Sequence, residues 1–396
     1  MADDIQNDYW LYDCDNHCYE PRDSFTRYLP SRHLDEAVKP GRLPDGREIP
    51  FVGDQPLTFL DSEVYGQVGR PGSLAEMLRS MKSGTVTEGY RWEEPRPEYL
   101  NRDARLQAMD AQEVRAVMLF PSVAISAEGF HRTLEQLYRN YHAFNEWFHE
   151  DWGFAYQDRI FATPWIPLWD VDAAVREVEF VLDRGARVVA VRPGPVNGRS
   201  PADPHFDPVW SRLNEAGATV AYHVTESGYN RDVSSLWGEN PEPSSYAQSA
   251  WQWMNCYCDR PIMDTLSALV YGNIFGRFPR LRAVAVEHGA EWFPYFVRRL
   301  DKMRGMGRNG PWLGGPLSER PSEIVKRHVK VTPFPEDDVA KIVSEIGPES
   351  IVLGSDWPHP EGYATPRDFL GHVAVLPDEQ RRKIAHDNGR LLLSRH

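Results

Sequence analysis

Two aspartates and two histidines in this chain are placed where a divalent cation would be held. Asp15 and His17 lie two apart in the run Leu11-Tyr12-Asp13-Cys14-Asp15-Asn16-His17, so in an extended strand they share a face. His223 is the last residue of Thr219-Val220-Ala221-Tyr222-His223, and Asp356 follows the apolar run that ends in Gly354-Ser355. Another histidine, His288, closes a further run in Glu287-His288-Gly289. Two imidazoles with two carboxylates form a normal ligand set for a hard or borderline divalent metal. Such an ion lowers the pKa of bound water and polarises a substrate oxygen. Singly each residue is weak evidence, because a histidine at a strand end is more often a hydrogen-bonded cap and an Asp there more often starts a loop. Their shared position at the ends of separate strands is what makes them a site.

The elements that must position them recur along the chain. Short β-branched or apolar runs at residues 10–15, 114–120, 160–166 and 187–192 read as strands, as do 219–223, 281–287, 329–332 and 351–355. Helical patterns fall between them, at 134–148, 171–183, 208–216, 292–303 and 336–346. Eight strand–helix units in 396 residues predict an α/β fold, a (β/α)8 TIM-type barrel, as one domain over residues 1–396. In that fold the active site forms at the C-terminal ends of the strands, where these residues stand. Two stretches break the rhythm. Residues 30–100 are rich in Pro, Gly and aromatics, among them Phe51, Phe59, Tyr65, Tyr90 and Trp92; residues 224–280 run from a polar loop into an aromatic helix pattern. Insertions after strands sit on the catalytic face, so both are expected to act as lids.

Composition narrows the function classes. Against 58 Asp and Glu stand 44 Lys and Arg, a net charge of −14, which disfavours binding to nucleic-acid phosphates. No apolar run is long enough to span a membrane, and the acidic start Met1-Ala2-Asp3-Asp4 leads into no secretory h-region. The cysteines form close pairs, Cys14/Cys18 and Cys256/Cys258, without the C-x2-C spacing of a zinc ribbon. Reduced thiols in a cytoplasmic enzyme with a small-molecule substrate are the plain expectation.

Taken together, D-x-D-x-H-x-x-E from Asp13 to Glu20, His223, the run E-H-G-A-E-W-F-P from Glu287 and G-S-D-W-P-H-P-E-G from Gly354 resemble the amidohydrolase superfamily. The likeness is to its branch of aminocarboxymuconate-semialdehyde decarboxylase-like proteins, and it runs from about Asp13 to Asn388-Gly389-Arg390-Leu391-Leu392. The resemblance implies one divalent metal held by Asp15, His17, His223 and Asp356, with His288 in acid/base work or touching metal-bound water. It also implies a symmetric homodimer. Where many relatives carry H-x-H on strand one, this chain has Asp15, which hardens the site and brings Mn2+ or Mg2+ beside Zn2+; one Zn2+ or Mn2+ is the expected cofactor.

Such a site serves two reactions. In a hydrolase, Asp356 takes a proton from the water and His288 holds the carbonyl or protonates the leaving group. In a non-oxidative decarboxylase, Asp356 or His288 protonates the carbon that loses CO2. The large insertion favours the first: hydrolysis of an ester, thioester, amide or lactone of a bulky hydrophobic molecule. The alternative is decarboxylation of an aromatic or unsaturated carboxylic acid. Further readings are a non-haem iron oxygenase and a barrel that has lost catalysis. Arg192, His359 and Trp253 are the candidate substrate contacts, with Glu361 and Trp251 beside them, and Glu20 is the candidate outer partner of the ligands.

Overall fold

The computed structural model describes residues 8–60, 62, 64–84 and 91–394; Tyr90 lies outside them. Its centre is a closed ring of parallel strands. The first strand (Leu11–His17) pairs with the second (Val114–Phe120), which pairs with the third (Ile160–Ala162). The fourth (Val188–Ala190), fifth (Thr219–His223), sixth (Arg282–Val286) and seventh (Val329–Val331) form the other arc. A parallel bridge between Trp165 and Ala190 joins the arcs on one side, and bridges from Val331 to Ile351 and from Asn16 to Trp357 join them on the other. The (β/α)8 barrel is therefore complete. Its strands are apolar on both faces because side chains fill the interior and helices cover the outside: every residue of the second strand except Arg115 is buried.

The eighth segment, residues 351–355, departs from the expected strand. After Val352 donates to Val331 O, the chain stops making a regular ladder: the Ser355 N–H donates to the Asp13 side chain at 3.0 Å, and Asp356 takes a positive φ of 54°. The Ser355 N–H is shared between the Asp13 side chain and, at 3.2 Å, Asp15 O. The barrel still closes here, through Cys14 N–H to Leu353 O (2.9 Å), Asp356 N–H to Asp15 O (2.8 Å) and His17 N–H to Trp357 O (2.8 Å).

Two of the outer helices begin on side-chain caps, the Thr133 hydroxyl at Leu134–Asp151 and the Asp170 carboxylate at Val171–Asp183. The second of these buries Ala174, Val178 and Val181 at helical spacing, the stripe that packs on the barrel. Among the described residues all four cysteines are free thiols, and no helix is long and apolar enough to cross a membrane.

The insertion after the first strand has structure of its own. Strands Val38–Arg42, Glu48–Val52 and Gln55–Pro56 form an antiparallel sheet; Val68–Gly69 pairs with Trp92–Glu93; helix Ser73–Lys82 lies between them. Val38 N–H donates to the Asn140 side chain, and Leu74 N–H donates to Pro360 O, on the loop after Asp356. At Gly69 a Cβ would lie 2.6 Å from Pro360, so glycine is what lets the insertion seat on that loop. The insertions also meet each other, with the Phe59 ring 5.6 Å from that of Tyr257.

Gly354 marks how closely strands one, seven and eight converge. A Cβ there would lie 2.6 Å from Thr332 Cγ2 and 2.9 Å from Asp15 Cβ. Gly354→Ala is expected to cost about 1–3 kcal/mol of stability by overpacking, read as a lowered thermal midpoint; an unchanged midpoint would show that this end of the barrel has slack.

Candidate metal centre

The ligands expected from the sequence converge. Asp15 and His17 project from the end of the first strand, His223 from the end of the fifth, and Asp356 from the turn after the eighth segment. Asp15, His17 and His223 present ligand atoms within 4.8 Å of one another, as do His17, Asp356 and His359. His17 Nε2 lies 3.3 Å from Asp15 Oδ1, 3.5 Å from Asp356 Oδ1 and 3.1 Å from His223 Nε2. All four side chains are buried.

Hydrogen bonds leave part of this cluster unpaired: Asp15 Oδ1 and His17 Nδ1 have no partner. His223 Nδ1 lies 2.9 Å from Val224 O, and a carbonyl only accepts, so Nδ1 carries a proton and Nε2 is the nitrogen turned to the cluster. It faces His17 Nε2, Asp15 Oδ1 at 3.6 Å and Glu287 Oε2 at 3.4 Å. Asp15 Oδ1 is buried and accepts no hydrogen bond. Burial and the neighbouring His359 and His223 bring His17 down to about 3, so it is neutral at ordinary pH. Burial would raise the Asp15 carboxyl, but the two imidazoles beside it bring it down to about 2. An ionised carboxylate and an imidazole lone pair aimed at one buried point are what a divalent cation binds, and the donor set fits one.

Around the ligands lies a supporting layer. His359 Nδ1–H donates to Asp356 Oδ1 at 2.8 Å, and its Nε2 lies 2.9 Å from the Ser122 hydroxyl. Glu20 is further out: its carboxylate accepts the backbone N–H groups of Ser122, Val123 and Ala124, fixing the loop that presents Ser122. His288 donates from Nδ1 to Cys258 O at 3.1 Å, while its buried Nε2 has no partner. Burial brings His288 down to about 3, so that nitrogen is an available acceptor.

The other sequence candidates are engaged elsewhere. Arg192 is buried with its Nε 3.5 Å from Glu128 Oε1 and its guanidinium over the Trp169 ring. Trp253 is 40% exposed and packs edge-on against Tyr257 rather than against a ligand. Two groups escaped the sequence reading. Glu287, at a positive φ of 58°, brings its carboxylate within 4.8 Å of Asp356 and Glu361 ligand atoms. Its pKa is pushed well up by burial and then by Asp356 and Asp15. Its signal was a carboxylate directly before His288 at the end of a strand. Asp13, the first residue of the D-x-D-x-H run, is fully buried behind the ligands.

The family model described as amidohydrolase matches residues 12–395. The chain belongs to the amidohydrolase family. A crystal structure of an amidohydrolase from Mycobacterium avium subsp. paratuberculosis K-10 is 35% identical, with a TM-score of 0.85 over 98% of this chain and 100% of that one. A 2-amino-3-carboxymuconate-6-semialdehyde decarboxylase of Dictyostelium discoideum is 21% identical over 226 residues, 56% of this chain and 58% of that relative's length. A dihydroxybenzoic acid decarboxylase from Polaromonas sp. JS666, crystallised with manganese and 2-nitroresorcinol, shares the fold at 17% identity. Its TM-score is 0.57 over 74% of this chain and 85% of that one. Family membership agrees with the barrel.

Three buried histidines stay neutral in the metal-free protein. His17 and His288 stand at about 3 and His131 at about 4, all lowered chiefly by burial from an ordinary 6.5. As pH falls below that ordinary value, the unfolded chain binds protons that the folded chain refuses. Each such histidine then costs about 1.4 kcal/mol per pH unit until its folded pKa is reached. In chelator-treated protein the NMR signals of these three imidazoles should show no titration between about pH 7 and about pH 5; a midpoint near the ordinary value would contradict these neutral states.

Proposed function

We propose that this amidohydrolase-family chain is a divalent-metal-dependent non-oxidative decarboxylase of an aromatic or unsaturated carboxylic acid. The observation that carries the reading is the hydrogen-bonded series Ser122–His359–Asp356, which ends beside the four-ligand cluster. It offers a proton source at the position where a carbon must be protonated. The named activities of the Dictyostelium and Polaromonas relatives support the same choice over hydrolysis.

Asp15, His17, His223 and Asp356 would hold the cation, which when bound supplies Lewis acidity toward a substrate carboxylate or neighbouring oxygen. Two carboxylates with two imidazoles suit Zn2+ or Mn2+, and the manganese of the Polaromonas relative makes Mn2+ the first ion to test. In the reaction the bond from carbon to the carboxyl group breaks and its electron pair stays on that carbon. Asp356 gives the carbon one proton, CO2 leaves, and no oxidant or reductant takes part. Burial, and then the Glu361 carboxylate, favour the protonated form of Asp356. His359 relays a solvent proton back to it after each turnover, its Nδ1–H passing to Asp356 as Nε2 takes up another on the Ser122 side. His288 Nε2, with its lone pair free, accepts a hydrogen bond from a substrate hydroxyl.

Hydrolysis has one observation in its favour. A structure that matches 98% of this chain at 35% identity is named only an amidohydrolase, whereas the Polaromonas decarboxylase leaves about a quarter of this chain unmatched. The readings separate on a panel of hydroxybenzoates and unsaturated carboxylates in D2O. Decarboxylation predicts CO2 release with one deuterium at the vacated carbon, lost by about 10²–10⁴-fold in Asp356→Asn. Cleavage of esters, thioesters, amides or lactones without CO2 release would overturn it and restore the hydrolase.

A further inference from the structure

Behind the ligands, Asp13 is fully buried and accepts four hydrogen bonds on two oxygens. Its Oδ1 takes the backbone N–H of Asp15 at 3.2 Å and that of Ser355 at 3.0 Å. Its Oδ2 takes the Ser355 hydroxyl at 2.6 Å and the Asn16 amide at 2.9 Å. The Ser355 oxygen in turn accepts the Trp357 N–H at 3.1 Å, so the residues on both sides of Asp356 are referred to one carboxylate. Asn16 Oδ1 accepts from Arg105, whose other guanidinium nitrogens donate to His17 O at 2.7 Å and Glu98 O at 2.6 Å. The guanidinium lies over the Trp357 ring, 4.7 Å from its centroid.

We propose that Asp13 is a positioning residue for the cation: its carboxylate sets the separation between the strand-one ligands Asp15 and His17 and the strand-eight ligand Asp356. The inference rests on the metal-binding reading of the site and goes beyond it by assigning the part of the fold that sets the ligand spacing. Barrel closure at the same place does not need Asp13. The bonds from Cys14 to Leu353, from Asp356 to Asp15 and from His17 to Trp357 run from backbone to backbone. Ser355 also reaches Asp15 O, from its N–H at 3.2 Å and its hydroxyl at 3.3 Å, but its shorter bonds are the two to Asp13, at 3.0 and 2.6 Å, which hold the start of the turn that puts Asp356 at its positive φ. A ligand in an uncommon backbone conformation persists only where its surroundings over-determine it. Loss of Asp13 therefore loosens the ligand set more than it opens the barrel.

The test measures metal binding rather than turnover. Mn2+ affinity is determined by chelator competition for the wild-type chain, Asp13→Asn, Ser355→Ala and Val178→Ala, with the thermal midpoint of each metal-free protein. In Asp13→Asn an amide group must face donors where a carboxylate oxygen stood. Its affinity is expected to fall about 10–100-fold, the usual effect of losing an outer partner of a metal ligand. Ser355→Ala, which removes only the shared hydroxyl, is expected to show a smaller loss in the same direction. Val178→Ala, a cavity in the buried stripe of helix Val171–Asp183, lowers the midpoint and leaves affinity unchanged.

Unchanged affinity in Asp13→Asn overturns the proposal. So does a loss no greater than that of Val178→Ala at an equal drop in midpoint. Should Asp13→Asn fail to fold, unchanged affinity in Ser355→Ala overturns it instead. A wild-type chain that binds neither Mn2+ nor Zn2+ sinks the metal reading itself, and this inference with it, a result distinct from tight wild-type binding with indifferent variants.

Discussion

Imidazole nitrogens and carboxylate oxygens meet in the barrel mouth, where Asp15 Oδ1, His17 Nδ1 and His288 Nε2 are buried without hydrogen-bond partners. Two backbone carbonyls contribute to this arrangement. Val224 O accepts a hydrogen bond from Nδ1 of His223 and Cys258 O one from Nδ1 of His288, so each ring turns its Nε2 inward. A buried acceptor without a donor costs about 1–3 kcal/mol, and several acceptors facing one another add repulsion in a low-dielectric setting. A cation removes both penalties at once, which is how metal binding comes to contribute folding free energy.

The barrel supplies these groups from strand ends, and the irregular parts of the chain hold them. Glu20 gathers three backbone N–H groups and so presents Ser122 to His359, which orients Asp356. The first insertion binds the loop at Pro360, next to Glu361. The second contributes the Cys258 carbonyl behind His288, and Tyr257, whose phenol is raised by burial and by the Glu287 carboxylate beside it. Both insertions therefore reach the residues that surround the cation position, which ties the chain's longest departures from barrel periodicity to its chemistry.

Seven of the strands were legible in the sequence because a barrel strand buried on both faces must be an apolar, β-branched run, and residues 114–120 and 219–223 match their observed strands in full. The eighth run was equally visible, yet it forms only a bridge at Ile351, because Leu353 N–H turns to Ile384 O and Asp13 shares the Ser355 N–H with Asp15 O. A side chain that competes with backbone leaves no mark in hydrophobic period. The four ligands were readable as polar residues at the ends of apolar runs. Glu287 was not, since its carboxylate reaches the site through a left-handed backbone conformation that residue type alone does not announce. Arg192 had the right position at a strand end, but its charge is met by Glu128, a partner distant in sequence. The choice between hydrolysis and decarboxylation was hidden for a similar reason, because it depends on loops whose contacts follow no period.

The convergence of Asp15, His17, His223 and Asp356 on one ion is the central claim. Crystals grown with Mn2+ and measured for anomalous scattering test it directly. The account predicts a single strong peak bonded to all four side chains at about 2.0–2.3 Å, with His223 Nδ1 still donating to Val224 O. A peak that leaves out one of these ligands, or no peak with the four side chains bridged by water, would contradict it.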